Sequence, residues 1–209
     1  RRALERTEGT VVLCDSADST TSGSTGDSTA ILEALLRADP FESPALLNIV
    51  DPDVVEQAIE SGVGAAIEVN LGAKLAPEYF RPVKLRGRVR IISDGDFRHK
   101  GPGMHGVVQH MGRAVVLVCG GIHLVVMEHA VSQWDPELYR SLGEEPDDAR
   151  MVQVKSPMAF QAAYEDIADE VMIISAPGAA SPDLVSLPWK HVTRPIFPLD
   201  PEVGRPQPE

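Results

Sequence analysis

Two short stretches hold the residues whose types and spacing suit binding chemistry. The first, DSADSTTSGSTGDST (Asp15–Thr29), follows the strand-like run TVVLCD and precedes the helix-like ILEALL. A loop of Gly, Ser and Thr between a strand and a helix start can hold an anion. The first helical N–H groups are unpaired and carry partial positive charge. Gly23, Ser24, Gly26, Asp27, Ser28 and Thr29 would line such a site. The same composition also makes an ordinary strand-to-helix connection. The second stretch is Lys155-Ser156, at the end of the strand-like MVQVKS and the start of SPMAFQAAYEDIA. If the two strands are neighbours, two helix N-termini and one lysine converge at the carboxyl edge of the sheet, a place for a carboxylate or phosphate. The plainer alternative is that Ser156 caps a helix and Lys155 is solvated.

Other chemistry is excluded by what those stretches lack. The loop has no P-loop lysine, and the chain has neither a G-x-S-x-G elbow nor an H-E-x-x-H helix. Six histidines are present, three of them in HKGPGMHGVVQH, but their spacing is irregular and they are read as non-ligating. Cys14 and Cys119 lie in apolar runs and are read as buried thiols of a reducing compartment; two cysteines build neither a disulfide framework nor a four-cysteine zinc site. No catalytic residue and no metal ligand is assigned to the chain.

The elements that must position these residues can be read from periodicity and punctuation. A strand over Thr10–Asp15 leads to a helix from about Asp27 to Ala38, capped by Asp27 or Ser28. LLNIV is a strand, and DPDVVEQAIESG is a helix with Asp51 at its N-cap, Pro52 in its first turn and Gly62 at its end. GAAIEVNLG is a third strand, and VKLRGRVRIIS alternates basic and apolar residues as a half-exposed antiparallel strand does. GRAVVLVCGGIHLVVMEH reads as a hairpin turning at Gly120-Gly121. A helix over Asp135–Gly143, the strand Met151–Ser156, a helix Ser156–Ala168 and a buried strand Glu170–Gly178 follow, before prolines make regular structure sparse. The expectation is a single α/β domain, a central mixed sheet flanked by helices. Residues 1–9 are expected to be a helical stub from a missing upstream domain, 10–198 the domain, and 199–209 a Pro-rich tail. The chain has 209 residues, 43% of them hydrophobic, no run of 18 apolar residues and a net charge of −12. That composition is expected of a soluble, cytoplasmic protein without nucleic-acid or membrane partners.

Read in order, DSADSTTSGSTGDST, DPDVVEQAIESGVGA, LGAKL, DGDFRHKGPG, VVLVCGGIHLVVME, WDPELYRSLGEEP, VQVKSPMAFQAAYEDIADEV and APGAASPDLVSLPWKHVTRPIFPLD resemble the C-terminal region of the MlrC family, which includes microcystinase C. The resemblance runs from about Val11 to Asp200. It implies a two-part zinc metallopeptidase whose ligands lie in an N-terminal catalytic domain, with this α/β domain packed against it and Ser156 in a wall of the cleft. By that resemblance zinc belongs to the full-length protein and not to this chain. The partners are the N-terminal domain and a peptide-like small substrate, and the isolated chain is inactive and able to form a homodimer through its uncovered face. The family loop typically reads D-N-P-G-G-G before G-D-[SG]-T. Here Ser19, Thr20, Thr21 and Ser22 replace Asn, Pro and two glycines, while Gly23, Gly26, Asp27 and Thr29 are kept. The alternative from another class is a non-enzymatic anion-binding or assembly module that uses the two helix N-termini.

Overall fold

Strand β1 (Thr10–Cys14), all five residues buried, is the centre from which the sheet is best followed. It runs parallel to β9 (Met151–Val154) on one side and to β10 (Ala168–Ile173) on the other. β9 in turn lies beside β2 (Ala45–Val50), and β2 beside β8 (Ile122–Met127), both parallel. β7 (Ala114–Cys119), β4 (Val83–Ser93) and β3 (Ala66–Leu71) then add antiparallel strands, giving the order β10-β1-β9-β2-β8-β7-β4-β3. This is the expected mixed sheet; β5 (Asp96–Arg98) and β6 (Val108–His110) pair antiparallel as a separate two-stranded ribbon. The computed structural model describes residues 2–6, 8–38, 40–41 and 43–204.

The parallel strands are buried on both faces, which is why they read as unbroken apolar runs. Val11, Leu13, Leu47, Ile49, Leu124 and Val126 face one core, covered by α2 (Ala30–Leu36) and α3 (Pro52–Ser61). Val12, Cys14, Leu46, Val125, Met127 and Val152 face a second core, with Trp134, Tyr139, Phe160 and Tyr164 packed on it. The hairpin turns at Gly120, φ +58°, with Cys119 opposite Ile122. α3 starts and stops as read: Asp51 accepts from Val54 N at 3.2 Å, and Gly62 ends it at φ +80°. A register shift between Val89 and Ile91 bends β4. The turn after β3 comes back to the loop, where Gly72 N donates to Asp51 Oδ2 and Leu75 N to Asp27 Oδ2.

Four local expectations are corrected. α2 begins at Ala30, not Asp27, because the Asp27 carboxylate is taken by Leu75 N and Ser28 N is turned toward Asp18. Thr29 stands at the N-cap without a side-chain cap, and Ser28 Oγ makes only a 3.4 Å contact with Ala30 N. No α-helix follows Ser156: the chain wraps in tight turns around buried Phe160 and Tyr164, with a single 3₁₀ turn at Gln161–Ala163. β10 is not a buried strand: lying at the edge with one neighbour, it leaves Val171 and Ile173 exposed. Cys119, at the hairpin end, is only half-buried, whereas Cys14 is buried. At the termini, α1 (Arg2–Glu5) is a single helical turn, and the last five residues of the expected tail lie outside the described residues.

Candidate functional site

Parallel pairing of β1 with β9 brings the ends of both strands to one edge, so Asp15 and Lys155 emerge as neighbours beneath the loop. The two stretches singled out in the sequence therefore meet. What lies between them is not open. Lys155 Nζ, fully buried, donates to Asp18 Oδ2 at 2.7 Å and to the Gly26 carbonyl at 2.6 Å. Asp18, equally buried, also accepts from Ser24 Oγ, Gly26 N and Ser28 N, each at 2.9 Å. The converging donors expected to receive an external anion thus hold the chain's own carboxylate.

The electrostatics follow from that arrangement. Burial alone would push the Asp18 carboxyl up, but the Lys155 charge and the hydrogen bonds from Lys155, Ser28 and Ser24 outweigh it and hold Asp18 below the usual carboxylate range. Asp15 is the opposite case. Burial raises it to about 6, Lys155 pulls it down and Asp18 pushes it up; its contact with Gln153 Nε2 is long, 3.4 Å, and its Oδ1 has no partner. Burial, with Asp15 beside it, also raises the Cys14 thiol to about 11, so this cysteine is a structural donor to the Ser156 carbonyl at 3.0 Å and not a nucleophile.

Each sequence-derived residue has a definite place. Gly26 is required at φ +77°, where a Cβ would meet Thr20 Cγ2 at 2.8 Å and Gln133 Oε1 at 3.0 Å. Gly23 ends the Thr20–Ser22 turn at φ +93° with open space around it. Asp27 holds the turn after β3 through its side chain and through its carbonyl, which accepts from Ala73 N at 2.8 Å. Thr29 Oγ1 donates to the Arg81 carbonyl at 3.1 Å. Ser156 Oγ accepts from Ala159 N at 3.1 Å, a local turn rather than a helix cap. Sequence reasoning missed Asp18, the residue that organises the cluster. The available signal was a second Asp three residues after Asp15, in a loop already paired with a lysine.

Above this locked base, Thr20 and Thr21 form one side of a shallow cleft of about 250 Å³, with Gln109, Ala130, Val131 and Ser132 on the other. Thr20 Oγ1 donates to the Val131 carbonyl at 2.5 Å, and Gln109 Oε1 accepts from Ser132 N at 3.3 Å. The lining is uncharged. Among the described residues no group of three His, Cys, Asp or Glu side chains lies close enough to hold a metal ion. A zinc ion does not fit this chain's described residues.

The comparison with known proteins settles the family. The model of the MlrC C-terminus matches residues 13–191. The chain belongs to the MlrC C-terminus family. Microcystinase C from a Sphingomonas species is 28% identical over 192 residues, which are 91% of this chain and 36% of that protein. A crystal structure of a candidate metallopeptidase from Mesorhizobium sp. BNC1 superposes with a TM-score of 0.84 at 24% identity, over 95% of this chain and 40% of the other. The MlrC-type domain thus spans well under half the length of either relative, and the structural match establishes its fold. Among the described residues no helix is long and apolar enough to cross a membrane.

Proposed function

We propose that the chain is the C-terminal domain of an MlrC-type zinc metallopeptidase, a cytoplasmic peptide or amide hydrolase. It forms a wall of the substrate cleft and supports an N-terminal catalytic domain that holds the zinc. The observation that carries this reading is the loop Asp15–Thr29 pinned at the carboxyl edge by a fully buried Asp18–Lys155 pair, in a domain shared with Microcystinase C. When bound, zinc polarises a carbonyl and activates water; those steps belong to the other domain. This domain's residues position. Asp18 fixes the backbone at Gly26 and Ser28, which holds the Thr20–Ser22 turn beside Val131 and Ser132. Uncharged hydroxyls and amides there suit a peptide-like substrate, which offers the same neutral donors and acceptors.

The anion-binding module is disfavoured, because the donors it needs are occupied by Asp18 and one of its two helix N-termini is absent. The test uses the longer protein. Thr21→Arg, at an exposed position of the cleft, is expected to raise KM several-fold for a short linear peptide while zinc content stays at one per chain. The 209-residue chain alone is expected to bind no zinc and to cleave nothing. Hydrolysis by the 209-residue chain, or an unchanged KM in the variant, overturns the reading.

A further inference from the structure

The sheet face that carries Leu13 and Leu124 is covered unevenly. α3 packs over β3, β4, β7 and β8 at one end. At the other end an apolar groove of about 620 Å³ runs between α2 and the edge strand β10, floored by Leu13, Ile31, Leu35 and Met151. Met172 and Ile174, packed against the same core, are only half-buried. β1 and β10 pair in parallel, and parallel strands are ordinarily covered on both faces.

α1 already holds one end of this groove. Ala3 is buried in the same core and Leu4 lines the groove beside it. Arg150 Nη2, just before β9, donates to the Leu4 carbonyl at 3.1 Å, which fixes α1 at the amino edge of the sheet. Arg2 and Arg6 both pair with Glu170, each at 2.8 Å. A helix of four residues is far too short to stand alone, so these contacts are what hold it. Its direction follows from the connection. Residues 6–9 lead from α1 into β1, an ordinary length for a helix-to-strand loop. A helix packed on a sheet and entering a strand in this way runs antiparallel to it, as α2 does before β2. Turns preceding α1 therefore extend beside α2 toward the carboxyl edge. The groove wall from Glu170 to Ile174 is about 13 Å long at roughly 3.3 Å per residue, the length of about nine helical residues.

We propose that α1 is the last turn of a longer helix, whose preceding turns in the full-length protein fill the groove between α2 and β10. The proposal rests on the reading above, in which an N-terminal catalytic domain precedes this chain. The occupant is an amphipathic helix whose aliphatic face continues from Ala3 and Leu4 at three- and four-residue spacing. It reaches the carboxyl edge beside Ala30, next to the Asp15–Thr29 loop. The N-terminal domain is thereby delivered to the edge of the sheet that carries the cleft.

The experiment compares cysteine labelling in the longer protein and in the 209-residue chain. Ala34→Cys lies on α2 at an exposed position lining the groove, and Val63→Cys, 66% exposed, lies just before β3 at the opposite edge of the sheet. Each is placed in a Cys119→Ser background, Cys14 being buried. A maleimide is expected to label Ala34→Cys at least tenfold more slowly in the longer protein, and Val63→Cys equally in both. Hydrogen exchange identifies the occupant: the residues just before Arg1 should be protected in the longer protein and lose that protection at least tenfold in Ala34→Arg. Equal labelling of Ala34→Cys in the two proteins, or unprotected residues before Arg1, overturns the proposal. Zinc content and peptide hydrolysis of the same longer protein read the metallopeptidase assignment separately. One zinc per chain with hydrolysis but an open groove overturns only the helix, and a filled groove without zinc overturns only the assignment.

Discussion

Replacing Lys155 by Met removes an ammonium while keeping a side chain of similar length, and so isolates the buried charge pair. Among the described residues Asp18 then keeps three donors, Ser24 Oγ, Gly26 N and Ser28 N, but loses the only cation in contact with it, and the Gly26 carbonyl loses one of its two donors. Breaking a fully buried pair by deleting one partner costs about 3–5 kcal/mol. For a domain of this size that lowers Tm by roughly 6–20 °C, at about 2–4 °C per kcal/mol. The pH dependence has a definite sign. Asp18 is held below its ordinary value of 3.8, so its contribution is complete above that pH and is lost as pH falls through the depressed folded value. Without Lys155 the Asp18 carboxyl takes up a proton at higher pH, so the gap between wild type and variant is expected to narrow from pH 7 to pH 4.5. Urea unfolding at both pH values reads it, and Asp18→Asn/Lys155→Met, which leaves neither charge unpaired and keeps an acceptor oxygen beside Gly26 N, should recover part of the loss. A loss below about 1 kcal/mol at pH 7, or a gap that widens in acid, refutes the reasoning.

Asp15→Asn should act in the opposite sense. The carboxyl is raised from 3.8 to about 6, so the native state holds its proton more tightly than the unfolded one, and wild-type stability falls as pH rises between those values. The variant should therefore gain roughly 3 kcal/mol at pH 8, at about 1.4 kcal/mol per unit, and nothing below pH 3.8; chemical unfolding across that range checks it. Gly26→Ala should cost about 1–3 kcal/mol, from a Cβ at positive φ against Thr20 and Gln133, seen as a lowered denaturation midpoint. Asp51→Ala removes the α3 cap together with acceptors for Gly72 N and Lys74 Nζ. A loss of about 2–3 kcal/mol is expected, with faster amide exchange at Val54 and Gly72.

Much of this molecule was legible because local signals agreed with tertiary demand. The Asp51-Pro52 start and Gly62 stop of α3, the Gly120 turn and the alternation of β4 each report a local constraint that the fold keeps. The meeting of the Asp15–Thr29 loop with Lys155 was also within reach, since both follow buried strands. Two things were not. The helix read after Ser156 had a Ser-Pro start and apolar spacing, but Phe160 and Tyr164 are buried by wrapping the chain instead of by winding it. The role of Asp18 depends on a carboxylate folding back under its own loop, a tertiary contact that no periodicity announces. The rank of β10 as an edge strand is likewise set by topology, because MIIS looks the same with one neighbour as with two.

The anion site in this loop is filled from within, by Asp18. Asp18→Gly empties it and leaves Lys155, Gly26 N and Ser28 N facing one volume. The direct measurement is Tm of wild type and Asp18→Gly with increasing acetate, against chloride at equal ionic strength. Wild type is expected to show no acetate-specific change, and the variant a rise in Tm as acetate takes the place of the lost carboxylate. An acetate-dependent rise in the wild type, with none in the variant, would contradict it.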